Sequence, residues 1–193
     1  KSLIYCNTIE DTIECARKMS DHLNPITSKT LNDAADEIAA FIHKDYYLVD
    51  FIRKGVGFHF GKLPQKVRDI VEHLYENGDI NYLFCTSTLL EGVNLPAQNI
   101  FILNNQIGNK NLQSIDFWNL AGRAGRLAKE LCGNVICVRW INKDGRWNTA
   151  DSIDIIKNKK IESISTEVLT GKENFYKNIL CAAQGQPFTR RNV

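Results

Sequence analysis

Five short apolar runs, at residues 2–6, 56–60, 82–86, 99–103 and 134–140, punctuate a chain whose intervening segments carry helical periodicity. Each run is rich in branched and aromatic residues and nearly continuous rather than alternating, which suits strands covered on both faces. Strands separated by helices are joined by right-handed crossovers, and the product is a parallel sheet with helices on either side. The expected fold is therefore α/β, a three-layer sandwich around a mainly parallel central sheet.

The helical segments have legible ends. Ile9, Ile13, Ala16, Met19 and Leu23 recur at helical spacing, Thr8 with Asp11 forms a capping box, and Asn24-Pro25 closes the segment. Residues 32–53 carry a second helical stretch, broken near residues 43–45. Pro64 opens a third, with Val67, Ile70, Val71 and Leu74 inward and Asn77-Gly78 as its stop. After Trp140 the pattern weakens. The expected division is a domain over residues 1–141 and a connector over 142–193 leading toward a further domain. The basic cluster at 157–160 reads as a solvated face.

Composition excludes several classes. A chain of 193 residues with 44% hydrophobic and 24% charged residues can bury a core without staples and is not disordered as a whole. No apolar run approaches the about 18 residues that span a bilayer, so no membrane association is expected. The balance of 24 basic and 22 acidic residues, net +2, excludes a polycationic coat while allowing a local phosphate-binding face. Six cysteines form no C-x-x-C pair, so no metal site is expected, and buried reduced thiols in a cytoplasmic protein are the expectation for Cys6, Cys85 and Cys137. The chain opens at Lys1 and enters a strand almost at once, as a piece cut from a longer protein does.

Two segments carry the chemistry. Asn119-Leu-Ala-Gly-Arg-Ala-Gly-Arg126 follows an amphipathic helix (Ile115, Trp118, Ala121) beginning at Ser114. Gly122 and Gly125 let the backbone turn and approach a ligand, and planar, permanently charged Arg123 and Arg126 suit a polyphosphate. A surface turn with two ion-paired arginines is the alternative. In Phe84-Cys-Thr-Ser-Thr-Leu-Leu-Glu-Gly-Val-Asn-Leu-Pro-Ala97 an apolar strand runs into Thr86, Ser87 and Thr88, where ligands sit in open α/β sheets. These hydroxyls either hold a phosphate or only cap a helix. Gly92 and Asn94 follow. Weaker signals occupy equivalent places: Cys6-Asn7-Thr8 at the first strand end, and Gly55-Val-Gly-Phe-His-Phe-Gly61, whose His59 read alone is more often structural. The three strand ends and the arginine loop are expected along one edge of the sheet.

Taken in order, Leu3-Ile-Tyr-Cys-Asn-Thr8, Gly55–Gly61, the 86–96 stretch and the 119–126 stretch resemble motifs IV, IVa, V and VI of the second RecA-like domain of superfamily 2 helicases. G-V-N-L-P in motif V and G-R-A-G-R in motif VI are similar to the DExH, Ski-type branch. The resemblance covers residues 1 to about 140 and implies a RecA-like, P-loop NTPase-type sandwich. It implies that Arg126 is the arginine finger on the ATP γ-phosphate and that Arg123 points into the same cleft. Asn119, Gly122, Gly92 and Asn94 would border the nucleotide. Asn7, Thr8, His59, Thr86 and Ser87 would hold backbone phosphates of single-stranded DNA or RNA, with little base readout. Asn119 departs from the family's usual Gln, and its shorter amide reaches less far.

The chain contains no G-x-x-x-x-G-K-[ST] and no DExH box. The phosphate cradle and the Mg²⁺ carboxylates are therefore expected from an N-terminal RecA-like domain of the same polypeptide. Alone, this chain is expected not to hydrolyse ATP. The expected function is the C-terminal motor domain of an ATP-dependent helicase or translocase. The alternatives are a non-catalytic RecA-like docking scaffold and a double-strand translocase that remodels bound proteins.

Overall fold

The structure is a computed structural model and describes residues 1–90, 95–124, 133–139 and 147, all within the compact unit Lys1–Lys159. The expected 141/142 boundary lies outside the described residues.

Strands β1 (Ser2–Tyr5), β2 (Val56–His59), β3 (Tyr82–Cys85), β4 (Asn99–Ile102) and β7 (Asn134–Cys137) form one sheet in the order β2-β3-β1-β4-β7. Every pairing is parallel. The first apolar run thus becomes the central strand, and all four of its residues are buried. In-register residues share a face. Leu3, Gly57, Leu83, Ile100 and Val135 lie on one; Ile4, Phe58, Phe84, Phe101 and Ile136 lie on the other.

Helices cover both faces, as the sequence leads one to expect. Helix α1 (Ile9–Asp21) and helix α3 (Tyr47–Arg53) pack on the Phe58 and Phe84 side, where the Tyr47 and Phe51 rings lie 5.7 and 6.2 Å from that of Phe58. Helix α2 (Lys29–Phe41) packs against α3, with Leu31, Ala34, Ala35 and Ile38 buried. Helix α4 (Gln65–Asn77) takes the opposite face, close enough that a Cβ on Gly57 would lie 3.2 Å from Val71. Over β4 and β7 the α1 side holds an open cavity of about 700 Å³ between α1 and Ile4, Phe101, Leu103 and Val138.

Three details depart from the sequence reading. The buried line of α1 is Thr12, Ala16 and Ser20, with Ile9, Ile13 and Met19 half-buried on its flanks. Small residues there let the helix approach the sheet closely, and Thr12 Oγ1 donates to the Thr8 carbonyl at 2.7 Å. Strand β7 is not covered on both faces. Among the described residues it pairs only with β4 and so stands at the edge of the sheet, with Asn134 and Ile136 exposed. Finally, a small hairpin of β5 (Gln106–Ile107) and β6 (Lys110–Asn111) stands between β4 and helix α5 (Ser114–Ala121). On α5 the buried residues are Phe117 and Leu120, while Trp118 and Ala121 are half-buried and Ile115 is exposed. Trp147 is buried with its ring 6.0 Å from that of Phe117.

Candidate nucleic-acid and nucleotide interface

Parallel pairing brings the carboxyl ends of β2, β3 and β1 side by side at one edge. The backbone continues the ladder past the strands: Cys6 N–H donates to the Cys85 carbonyl at 2.8 Å, and Thr86 N–H to the His59 carbonyl at 3.3 Å. The sequence-predicted residues Asn7, Thr8, His59, Thr86 and Ser87 are therefore neighbours in space. Thr8 is exposed, Asn7 and Ser87 are half-buried, and Thr86 is buried. A 3-10 turn over Ser87–Leu90 begins there, and the Thr86 and Thr88 hydroxyls share a hydrogen bond of 2.8 Å.

Several of these side chains have structural duties. Thr8 Oγ1 accepts from Asp11 N–H at 3.0 Å and caps α1, whose first turn carries Glu10 and Asp11 to complement the helix dipole. Asn7 Nδ2 donates to the Gly108 carbonyl at 2.9 Å, and Tyr5 donates its hydroxyl to the Gln106 carbonyl at 2.7 Å. These two bonds tie the hairpin to the end of β1. The sequence reading missed the hairpin and the role of Tyr5. Gly108-Asn109, between Ile107 and Lys110, is a hairpin-turn dipeptide that could have found it.

The His59 side chain is only 2% exposed, and its Nε2 lies 2.7 Å from Oε1 of Glu72 on α4. Burial outweighs the attraction of that carboxylate and holds the ring below its ordinary 6.5. The imidazole of His59 is thus enclosed, and what this position offers at the edge is its backbone.

The described part of the arginine segment lies beside the start of β4. Helix α5 runs back antiparallel to the strands, as a crossover helix must, so it ends at the edge where the strands begin. There the Arg123 carbonyl accepts from Ala97 N–H at 3.1 Å, and Ala97 and Ala124 form a parallel bridge just before β4. The described part of the arginine segment, Arg123 and Ala124, thus lies beside Ala97, and its remainder lies outside the described residues. The charge of half-buried Arg123 still reaches Cys85, whose thiol burial pushes up to about 12 against the pull of that charge. Asn119 is exposed on α5, and Gly122 caps the helix. Gly92, Asn94 and Arg126 lie outside the described residues.

The described residues here supply an exposed amide on Asn119, a helix-capping Gly122 and the half-buried guanidinium of Arg123, whose backbone carbonyl is held by Ala97 N–H. Among the described residues no group of three His, Cys, Asp or Glu could hold a metal ion. No described helix is long and apolar enough to cross a membrane.

A five-stranded parallel sheet with helices on both faces and polar strand ends at one edge defines a RecA-like α/β domain. Known proteins agree. The family described as the helicase conserved C-terminal domain matches residues 1–128, and the chain belongs to it. Over 156 residues it is 30% identical to anti-bacteriophage protein B of Escherichia coli K12, covering 80% of this chain and 20% of that protein. Over 148 residues it is 34% identical to the ATP-dependent DNA helicase homolog MER3 of Arabidopsis thaliana, with coverage of 70% and 13%. The ATP-dependent DNA helicase Hel308 of Pyrobaculum calidifontis is 25% identical over 148 residues, with coverage of 72% and 21%. These relatives place the chain among the DExH, Ski-type helicases of superfamily 2, as the motifs imply. The chain spans about a fifth or less of the length of each.

Proposed function

We propose that this chain is the C-terminal motor domain of an ATP-dependent nucleic-acid helicase or translocase. The observation that carries the reading is the continuous edge made by the ends of β2, β3 and β1, with hydroxyl and amide side chains spaced one strand apart. Thr86, Ser87, Asn7, Thr8 and the backbone around His59 contact successive phosphates of one strand of DNA or RNA. Such contacts position without reading sequence.

The nucleotide side is built by Asn119, Gly122, Arg123, Gly92, Asn94 and Arg126. The two guanidiniums stabilise charge on the transferring phosphoryl group, Arg126 as the finger. Bound with Mg²⁺ mainly by the N-terminal RecA-like domain of the same polypeptide, ATP supplies the phosphoanhydride whose hydrolysis drives the cycle. The bridge between Ala97 and Ala124 ties the residue just past motif V to the residue that follows Arg123 within motif VI, so a change at the arginines is passed to the segment that begins at Thr86. The domain then shifts relative to its partner and advances along the strand.

The test is ATP turnover of the full-length product with and without single-stranded nucleic acid. Strand-stimulated turnover is expected, lowered about 10³-fold or more by Arg126→Ala. Near-wild-type turnover in that variant sinks the assignment. A strand-displacement assay separates a helicase from a double-strand translocase, and absence of any hydrolysis leaves a docking scaffold.

A further inference from the structure

The end of β2 and the start of the motif V segment are locked together more closely than two parallel strands need to be. The His59 carbonyl accepts from Thr86 N–H. Two residues on, a Cβ on Gly61 would lie 2.8 Å from Thr88 Cγ2, so only glycine lets these segments meet this closely. Thr88 in turn shares its hydroxyl hydrogen bond with Thr86. The whole contact rests on His59, whose ring is held at one atom. Nε2 meets Glu72 at 2.7 Å, while Nδ1 is buried with no hydrogen-bond partner among the described residues.

The neutral ring that burial enforces carries one N–H, and an ionised carboxylate only accepts, so Nε2 is the donor. Glu72 itself is 20% exposed at its side chain and stands on α4, behind the His59 ring rather than among the hydroxyl and amide groups of the strand ends. Without it both ring nitrogens would be unsatisfied in the interior, and the ring would turn toward water, carrying the end of β2 with it.

We propose that Glu72 is a positioning residue for strand binding, holding His59 so that the His59–Gly61 turn and the Thr86–Thr88 hydroxyls present one rigid phosphate-gripping edge. This rests on the helicase reading above. Glu72 touches neither strand nor nucleotide, so its loss acts on the affinity for the strand and leaves the chemical step intact.

The experiment measures ATP turnover of the full-length product against single-stranded nucleic acid concentration. Glu72→Ala is expected to raise the half-saturating strand concentration about tenfold, in line with a lost hydrogen bond to a charged group, with turnover at saturating strand within twofold of wild type. Glu72→Gln keeps a carbonyl acceptor for Nε2–H and is expected to restore half-saturation to within threefold. A second pair tests the same unit should Glu72→Ala not fold. Gly61→Ala is expected to weaken strand stimulation, and Gly61→Ala with Thr88→Ser, which removes the obstructing methyl, to recover it. Wild-type half-saturation in both Glu72→Ala and Gly61→Ala overturns the proposal, as does an equal fall in saturated turnover. No strand stimulation in the wild type overturns the helicase reading itself.

Discussion

His59 sits where a titratable ring is costly to charge, and the cost has a direction. Burial depresses its folded pKa below the ordinary 6.5, so the folded state keeps the ring neutral while the unfolded chain still takes up a proton. The stabilising contribution is thus fully present above about pH 6.5 and is lost as pH falls through the folded pKa, with a slope of at most about 1.4 kcal/mol per pH unit. Thermal unfolding of the chain at stepped pH is expected to show this loss, and His59→Gln to flatten it. Equal acid slopes in both would place the loss elsewhere. At this scale the glycines around His59 marked the position in the sequence, yet nothing marked Glu72. The two are 13 residues apart, and their meeting depends on how α4 lies on β2.

Helix ends were the most legible elements, because they depend on local chemistry. Thr8 caps α1 through a hydrogen bond to the amide three residues on, and α4 runs between Pro64 and Gly78; the sequence reading starts α2 at residue 32, three residues late, because it misses the Ser28 cap. Gly78 adopts φ of 82°, with nothing within 4 Å of where a Cβ would stand, so its side-chain requirement is purely conformational. Gly78→Ala is expected to destabilise the chain by about 1 kcal/mol, and Gly78→Asn by less, because Asn tolerates the left-handed region. Calorimetry should read a fall of about 2–4 °C in Tm for the alanine variant; no change would mean the cap rearranges freely. Faces of helices were harder to read than their ends. Periodicity suggested Ile115 as part of the apolar stripe on α5, whereas Phe117 and Leu120 are the residues that reach the core. An eight-residue helix completes little more than two turns, too few for a stripe to specify its own orientation.

At the scale of the whole chain, the parallel sheet separates two tasks that the linear order of motifs runs together. Strand ends gather at one edge, while α5 carries Arg123 and Ala124 back beside Ala97, where β4 begins. Under the proposed function, one domain would then hold a strand on one side and sense a nucleotide on another. With neither a phosphate-cradling lysine motif nor a DExH box in its 193 residues, the chain alone is expected to release no phosphate from ATP above background. A phosphate-release assay with and without added strand checks this, and turnover by the chain alone would relocate the catalytic groups.

The sequence by itself determined the class of fold, the number and order of the sheet's strands along the chain, the caps of α1 and α4 and the helicase motifs. Each is written in local patterns: runs of apolar residues, cap chemistry, and short strings of residues with a defined spacing. Tertiary structure alone decided that the first run would be the central strand, that the last would be a half-exposed edge, and that His59 would lean on Glu72 beneath the surface. It also decided that Arg123 and Ala124 would lie beside Ala97, just before β4. These outcomes depend on which segments pair and which way each crossover returns, and such long-range choices leave no mark in any single stretch of chain.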